Sequence, residues 1–415
     1  MEYRALGRTG ISVSHLTLGA MMFGAMGNQD RAECVRIVHR ALQAGITSIN
    51  TADGYSAGAS EEVLGEALSE GRRDEVVLSV KFGVKLDGNP NHGGGSRRWI
   101  MAAIEGSLRR LQTDYIDVYE LGAPDPRTDL DETLSALTDL LVAGKIRSFG
   151  TSKMPPSQVA EARALAERRG HGAFRTEEAP YSILNRVLEY DLLPLCQRLG
   201  IGVLAFSPLA GGWLSGRYRT GQEVAASGPR SQRPQMDPAA PANATKFAAA
   251  NTLGALADET GLTLVQLATA WAARHPGVSS VVIGPRTMQQ LDGYLAAEST
   301  DLSDDVLDRI DAIVQPGVTL DAADTMWAHG TRALDATQRR REASSTNGAD
   351  VKPTTSAVRP HSPVGAEDER DLTGAFGPSR SGRRPAVPRA SGRIIVVWWS
   401  RSRRGPLVAR RPLGS

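Results

Sequence analysis

Short runs rich in β-branched residues alternate with longer stretches whose apolar residues recur at helical spacing, and this alternation continues for most of the chain. Strand patterns lie at 15–19, 46–49, 76–81, 115–121, 146–151, 174–177, 201–206 and 280–283. Helix patterns lie between them at 31–42, 61–68, 98–111, 132–142, 158–168 and 188–199, and resume at 244–257, 264–274 and 303–314. About eight βα units over about three hundred residues suit an α/β fold of the (β/α)8 TIM-barrel kind. An open doubly wound sheet is the competitor, but no Gly-x-Gly-x-x-Gly turn follows the first strand. The barrel is the better reading.

Leu6 to Val13, with Gly10 at its turn, reads as a small hairpin ahead of the first barrel strand. The segment 221–242, rich in Pro, Ser, Gln and Ala, reads as a long surface loop after the seventh strand. After about Val318 the periodicity fades. The expected division is therefore a barrel over 1–322 and a tail over 323–415 that is rich in Arg, Ser, Pro and Gly and reads as disordered. Within the tail, 394–399 (Ile-Ile-Val-Val-Trp-Trp) is flanked by arginines, a combination that can contact nucleic acid or an anionic membrane; a tail without any partner is the plainer reading.

A net charge of +2 over the whole chain gives no overall polyanion signal, and no nucleic acid is expected on the barrel. Neither a signal peptide nor an apolar run long enough to span a bilayer is seen, and Cys34 and Cys196 stand far apart inside helix patterns. These features point to a reduced, cytoplasmic protein with no membrane association. Nothing in the sequence fixes its oligomeric state.

The most informative stretch runs from Ile46 to Gly65. A strand ends in Asn50-Thr51-Ala52, a loop carries Tyr55 and Gly58, and a helix restarts with Ser60 as its expected cap and Glu61 and Glu62 in its first turn. Further on come Lys81 at the end of the third strand, the run Leu111 to Tyr119 into the fourth, Phe206 to Gly216 after the seventh, and Ile283 to Thr287 with Gln290 after the eighth. Together these motifs resemble the aldo-keto reductase family, over about Tyr3 to Val318. The resemblance implies a barrel plugged by the hairpin, NADPH-dependent reduction of a small-molecule carbonyl, Tyr55 as proton donor and Lys81 as the cation that lowers its pKa.

The same resemblance places cofactor contacts at Gly19, Ala20, Ser152, Lys153, Glu178, Ser207, Leu209, Gly212, Gly216, Gly284, Arg286 and Gln290, with the 207–216 loop on the pyrophosphate and Arg286 on the 2′-phosphate. No metal ligands are expected. Four positions depart from the family. Asn50 stands for its Asp, Gly122 for its His, Lys153 for its Asn and Glu178 for its Gln. An isolated Lys81 is expected to have a depressed pKa, and Lys153 is expected to pair with Glu178 if both project into one space. His92, in the Gly-rich loop after the third strand, is a remote candidate to replace the missing His. The changes leave three readings open. They are an atypical reductase of carbonyls or enones, a cofactor-free isomerase, lyase or cyclase, and a non-catalytic binding protein.

Overall fold

The hairpin comes first. β1 (Tyr3–Ala5) pairs antiparallel with β2 (Ser12–Ser14), and the chain turns between them at Gly7, whose φ of 58° suits glycine and whose Cα faces the backbone of Gly200 and Gly202 too closely for a side chain. Leu6 and Val13 of this hairpin form a small core with Val118, Leu204 and Val282, which project from barrel strands. The hairpin thus closes one end of the barrel, as the resemblance implies.

This computed structural model describes residues 1–220 and 236–326. Most of the expected 221–242 loop, and the tail beyond 326 with its 394–399 segment, lie outside the described residues.

Eight parallel strands follow: β3 (Leu16–Gly19), β4 (Ser48–Ala52), β5 (Val77–Phe82), β6 (Ile116–Leu121), β7 (Ile146–Ser152), β8 (Thr176–Pro180), β9 (Gly202–Phe206) and β10 (Ser280–Ile283). They pair in chain order, and β10 closes on β3 with Val281 beside Leu16. The period of two sorts their side chains: Leu16, Leu18 and Ile49 join the main core, while Thr17, Ser48 and Ser280 meet through their hydroxyls, at 2.9 Å and 2.6 Å from Thr17. A (β/α)8 barrel is the outcome, as the alternation requires.

The helices are α1 (Arg31–Gln43), α2 (Ala59–Ala67), α3 (Arg97–Leu111), α4 (Leu130–Val142), α5 (Pro156–Arg169), α6 (Leu192–Leu199), α7 (Ala244–Glu259), α8 (Leu264–Arg274), α9 (Met288–Leu295) and α10 (Asp304–Ile313). Asp30, Ser96, Thr263, Thr287 and Ser303 each accept a main-chain N–H in the first turn of the helix they start. Just past the expected boundary at 322, Asp324 accepts from Lys246 of α7 at 3.0 Å, which ties that segment to the barrel body.

Three local expectations need correction. Ser60 does not cap α2: Gly58 precedes the helix with φ of 96°, and the Ser60 hydroxyl donates instead to the Ala20 carbonyl at 2.8 Å. The helix expected at 188–199 breaks in two, because Glu189 is drawn off to accept from Tyr181 at 2.6 Å and from Arg186 at 2.9 Å. The sixth barrel strand starts at Thr176 and runs on to Pro180, since Phe174 turns away to meet Phe149 edge to face. That shift places Glu178 inside the strand.

Candidate active site

Four inward-facing polar residues share the lumen near the C-terminal ends of the strands. Asn50 from β4, Lys81 from β5, Glu120 from β6 and Glu178 from β8 have 2, 5, 0 and 3 % of their surface exposed, so each must find its partners inside the protein. Lys81 Nζ donates to Glu178 Oε2 at 2.8 Å, Glu178 Oε1 at 3.1 Å and Asn50 Oδ1 at 2.6 Å. Asn50 Nδ2 donates to Glu178 Oε2 at 2.8 Å. Deeper in, Glu120 accepts from Ser79 and Thr176, both at 2.7 Å. Gly150 makes room for this, because a Cβ there would collide with Thr176.

Charge accounts for the ionisation of each group. Burial, the largest influence, would lower the Lys81 pKa, but Glu178, Tyr55 and Glu120 together outweigh it and hold the ammonium well above its usual value. The expectation of a depressed Lys81 is therefore overturned. Its carboxylate comes from β8, across the lumen, and Asn50 serves as the bridging amide. Burial, with Glu178 nearby, pushes the Glu120 carboxyl up to about 8 despite the opposing pull of Lys81.

Lys153 behaves differently from the expectation too. Both Glu178 oxygens are taken by Lys81 and Asn50, so no Lys153–Glu178 ion pair forms. Only the main-chain N–H of Lys153 reaches Glu178, donating to its carbonyl at 3.0 Å. The residue has φ of 59°, and burial lowers the pKa of its amine.

Tyr55 opens the turn Tyr55–Gly58 after β4, where Ser56 and Ala57 have left-handed φ of 51° and 56°. Ser56 holds the turn by donating to the Phe23 carbonyl at 2.9 Å. The Tyr55 ring centroid lies 5.2 Å from Lys81 Nζ, so the structure brings this sequence-derived pair together. Gly122 follows β6 close by: a Cβ there would lie 3.0 Å from the Phe82 carbonyl oxygen and 3.7 Å from Lys81 Cβ, so the position is hemmed in by the end of β5. His92 stays in its own loop, bound to Asp87 at 2.8 Å and stacked on Trp99.

The loops after β9 and β10 are neighbours because the strands pair. In the first, Ser207, Ala210, Gly211, Gly212 and Gly216 all have positive φ, and the main-chain N–H groups of Ala210, Gly212, Trp213, Leu214 and Ser215 donate to carbonyls within the loop, which fixes its shape. Leu209 accepts there from Gly212 N at 2.8 Å. In the second, Gly284 has open space around its Cα, and Arg286 donates its main-chain N–H to Gln290 Oε1 at 2.8 Å at the start of α9. Gln290 is thereby engaged in its own helix start. Gly19 and Ala20 do packing work: a Cβ at Gly19 would meet Val282 Cγ1 at 2.8 Å, and the Ala20 carbonyl is taken by Ser60.

Two residues escaped the sequence reading. Glu120 is a carboxylate on the same face of β6 as Val118 and Ile116, a buried-charge signal that was legible. Arg217, whose Nε is buried without a hydrogen-bond partner beside the 207–216 loop, has no pattern that would single it out.

The family model for the aldo/keto reductase family matches residues 15–315. The chain belongs to the aldo/keto reductase family. Among curated proteins, an uncharacterized oxidoreductase, YrpG of Bacillus subtilis, is 35% identical over 323 residues, covering 74% of this chain and 94% of that protein. The aldo-keto reductase YhdN of the same organism is 33% identical over 301 residues, 70% of this chain and 87% of YhdN. A probable voltage-gated potassium channel subunit beta of Oryza sativa is 34% identical over 328 residues, 76% and 97% of the two chains. Membership carries a general oxidoreductase role for this aldo/keto reductase; its particular chemistry is a matter of the site. Among the described residues no helix is long and apolar enough to cross a membrane.

Proposed function

We propose that this aldo/keto reductase is an NADPH-dependent enzyme that reduces the carbonyl of a small aldehyde, ketone or enone. One observation carries the reading: Tyr55 lies 5.2 Å from an ammonium that Glu178 and Asn50 fix in place. A phenol with a pKa near 10 is a weak proton donor at neutral pH unless a neighbouring cation stabilises its anion. Lys81, charged throughout the neutral range, is that cation. Tyr55 then delivers its proton to the developing alkoxide oxygen.

The residues present fit the cofactor. Ser152 Oγ at the end of β7 is buried with no partner among the described residues, a free donor for a carboxamide, and Arg217 Nε is a second orphan beside the 207–216 loop. Bound there, NADPH supplies the hydride. Ser152 and Lys153 would hold the nicotinamide end, the 207–216 loop with Arg217 the pyrophosphate, and Arg286 at the start of α9 the 2′-phosphate. With no side chain at Gly122 to orient a carbonyl, the site favours a substrate that brings its own orienting group.

We also place the protein in the cytoplasm, where its two buried free thiols, Cys34 and Cys196, stay reduced. The Lys81–Glu178 contact supports a second reading, in which the pair keeps the nicotinamide out and the barrel acts without cofactor or only binds. NADPH titration followed by energy transfer from tryptophan, with 4-nitrobenzaldehyde and cyclohexenone as test substrates, separates the two. Saturable binding and NADPH consumption that Tyr55→Phe removes support the reductase. No binding at high micromolar NADPH rejects it.

A further inference from the structure

The barrel mouth holds two lysines but commits its carboxylate to one of them. Lys81 takes both oxygens of Glu178. Lys153, one residue beyond β7 and beside Glu178 in the sheet register, has no carboxylate oxygen within ion-pair distance among the described residues. It is set apart from the other described lysines. Lys145 pairs with Glu105, Lys246 pairs with Asp321 at 2.6 Å and Asp324 at 3.0 Å, and Lys85 is exposed. Lys153 alone is largely buried without an ion-pair partner.

Three charges act on its amine: Glu178 and Glu177 from β8, and Lys81 from β5. Burial disfavours the ammonium most, and the Lys81 charge adds to it. The Glu178 charge, already neutralised by Lys81, offsets only part. The backbone of Lys153 is held at φ of 59°, a left-handed conformation that a side-chain-bearing residue rarely adopts and that persists only where the surroundings enforce it. The residue lies just past the C-terminal end of β7 and is partly exposed.

We propose that Lys153 is a carbonyl-capturing amine, forming an imine with a small aldehyde or ketone at the barrel mouth. The inference rests on the carbonyl substrate of the proposed function, and it adds a covalent handle to that site. In the step, the Nζ lone pair attacks the carbonyl carbon and the C–O π pair moves to oxygen, which gains the proton that nitrogen loses. The resulting carbinolamine expels water as the nitrogen lone pair forms C=N, so amine and carbonyl become imine and water with no net redox change. Lys81 cannot do this while Glu178 holds it protonated.

The test is reductive trapping of the full-length protein with butyraldehyde and cyanoborohydride at pH 7, followed by digestion with a protease that does not cut at lysine and mass spectrometry. Lys153 is expected to acquire the butyl group at least severalfold faster than exposed Lys85 or ion-paired Lys145, because burial disfavours its ammonium. Lys153→Met should remove that fast adduct and leave the slow ones. Labelling of Lys153 no faster than Lys85 or Lys145 overturns the proposal. No NADPH is present in the sample, so a failed trapping result is separate from a failed cofactor titration.

Discussion

Two buried charge clusters flank the second barrel strand, and they share a composition. The lumen cluster has two carboxyls, Glu178 and Glu120, and the cation Lys81. The wall cluster has Asp53 and Glu61 with Arg110, whose guanidinium reaches Glu61 at 2.6 Å from α3 to α2. In both, one carboxyl meets the cation and burial pushes the other up, Glu120 to about 8 and Asp53 to about 7; in the wall, burial also raises Glu61 against the pull of Arg110. They differ in what the cation faces. Lys81 faces the Tyr55 ring, whereas Arg110 packs against Gly58, whose Cβ position would lie 2.7 Å from Arg110 Cδ. The same charge arithmetic serves chemistry in the lumen, and in the wall it anchors the turn that carries Tyr55.

Breaking the lumen pair should give the largest effect. Glu178→Gln leaves a buried ammonium with amides alone and is expected to cost about 3–5 kcal/mol in urea denaturation at pH 7. Adding Asn50→Asp should recover most of it, since Asn50 Oδ1 already lies 2.6 Å from Lys81 Nζ. A loss under about 1 kcal/mol in the single variant would show that Lys81 does not need Glu178.

Tyr55→Phe comes next and separates chemistry from stability. It should lower kcat by about 10²- to 10⁴-fold. The urea midpoint should stay close to that of the wild type, and a large shift in it would reassign Tyr55 to the scaffold.

In the wall, Glu61→Gln should cost about 1–3 kcal/mol, less than the lumen variant because Arg110 is part exposed and keeps access to water. NADPH binding by the folded variant should survive. If it is lost at equal stability, the two clusters are coupled.

The remaining effect is read through pH. The folded-state pKa of Asp53 is raised from 3.8 to about 7, so between those values the native state binds more protons than the unfolded one and stability falls as pH rises. Asp53→Asn should change stability little at pH 4 and raise it at pH 8, by up to about 4 kcal/mol if the whole shift is relieved. Equal gains at both values would point to packing rather than titration.

Much of the fold was legible because it is written in local chemistry. The alternation of strand and helix patterns gave all eight barrel strands to within a few residues, and Asp30, Ser96 and Thr263 are polar caps of the expected type. Ser60 misled because the neighbouring Gly58 takes the left-handed turn that starts α2, freeing the serine for a long-range bond. Glu189 misled because its partner, Tyr181, lies in a preceding loop.

The candidate site was legible only in part. Tyr55 and Lys81 were found by their motifs, and the loops at 207–216 and 284–290 by theirs. The identity of the Lys81 partner was not, since Glu178 lies 97 residues away in sequence and 128 from Asn50, and nothing local joins them.

By itself, then, the sequence determined the order and kind of the elements, the barrel they form, and which side chains alternate inward, because period and turn chemistry act over a few residues. Only the closed barrel decided which of the inward charges meet. Glu178 goes to Lys81 and not to Lys153 because ring closure carries β8 across the lumen from β5, and a buried charge takes the partner that geometry brings within hydrogen-bond reach.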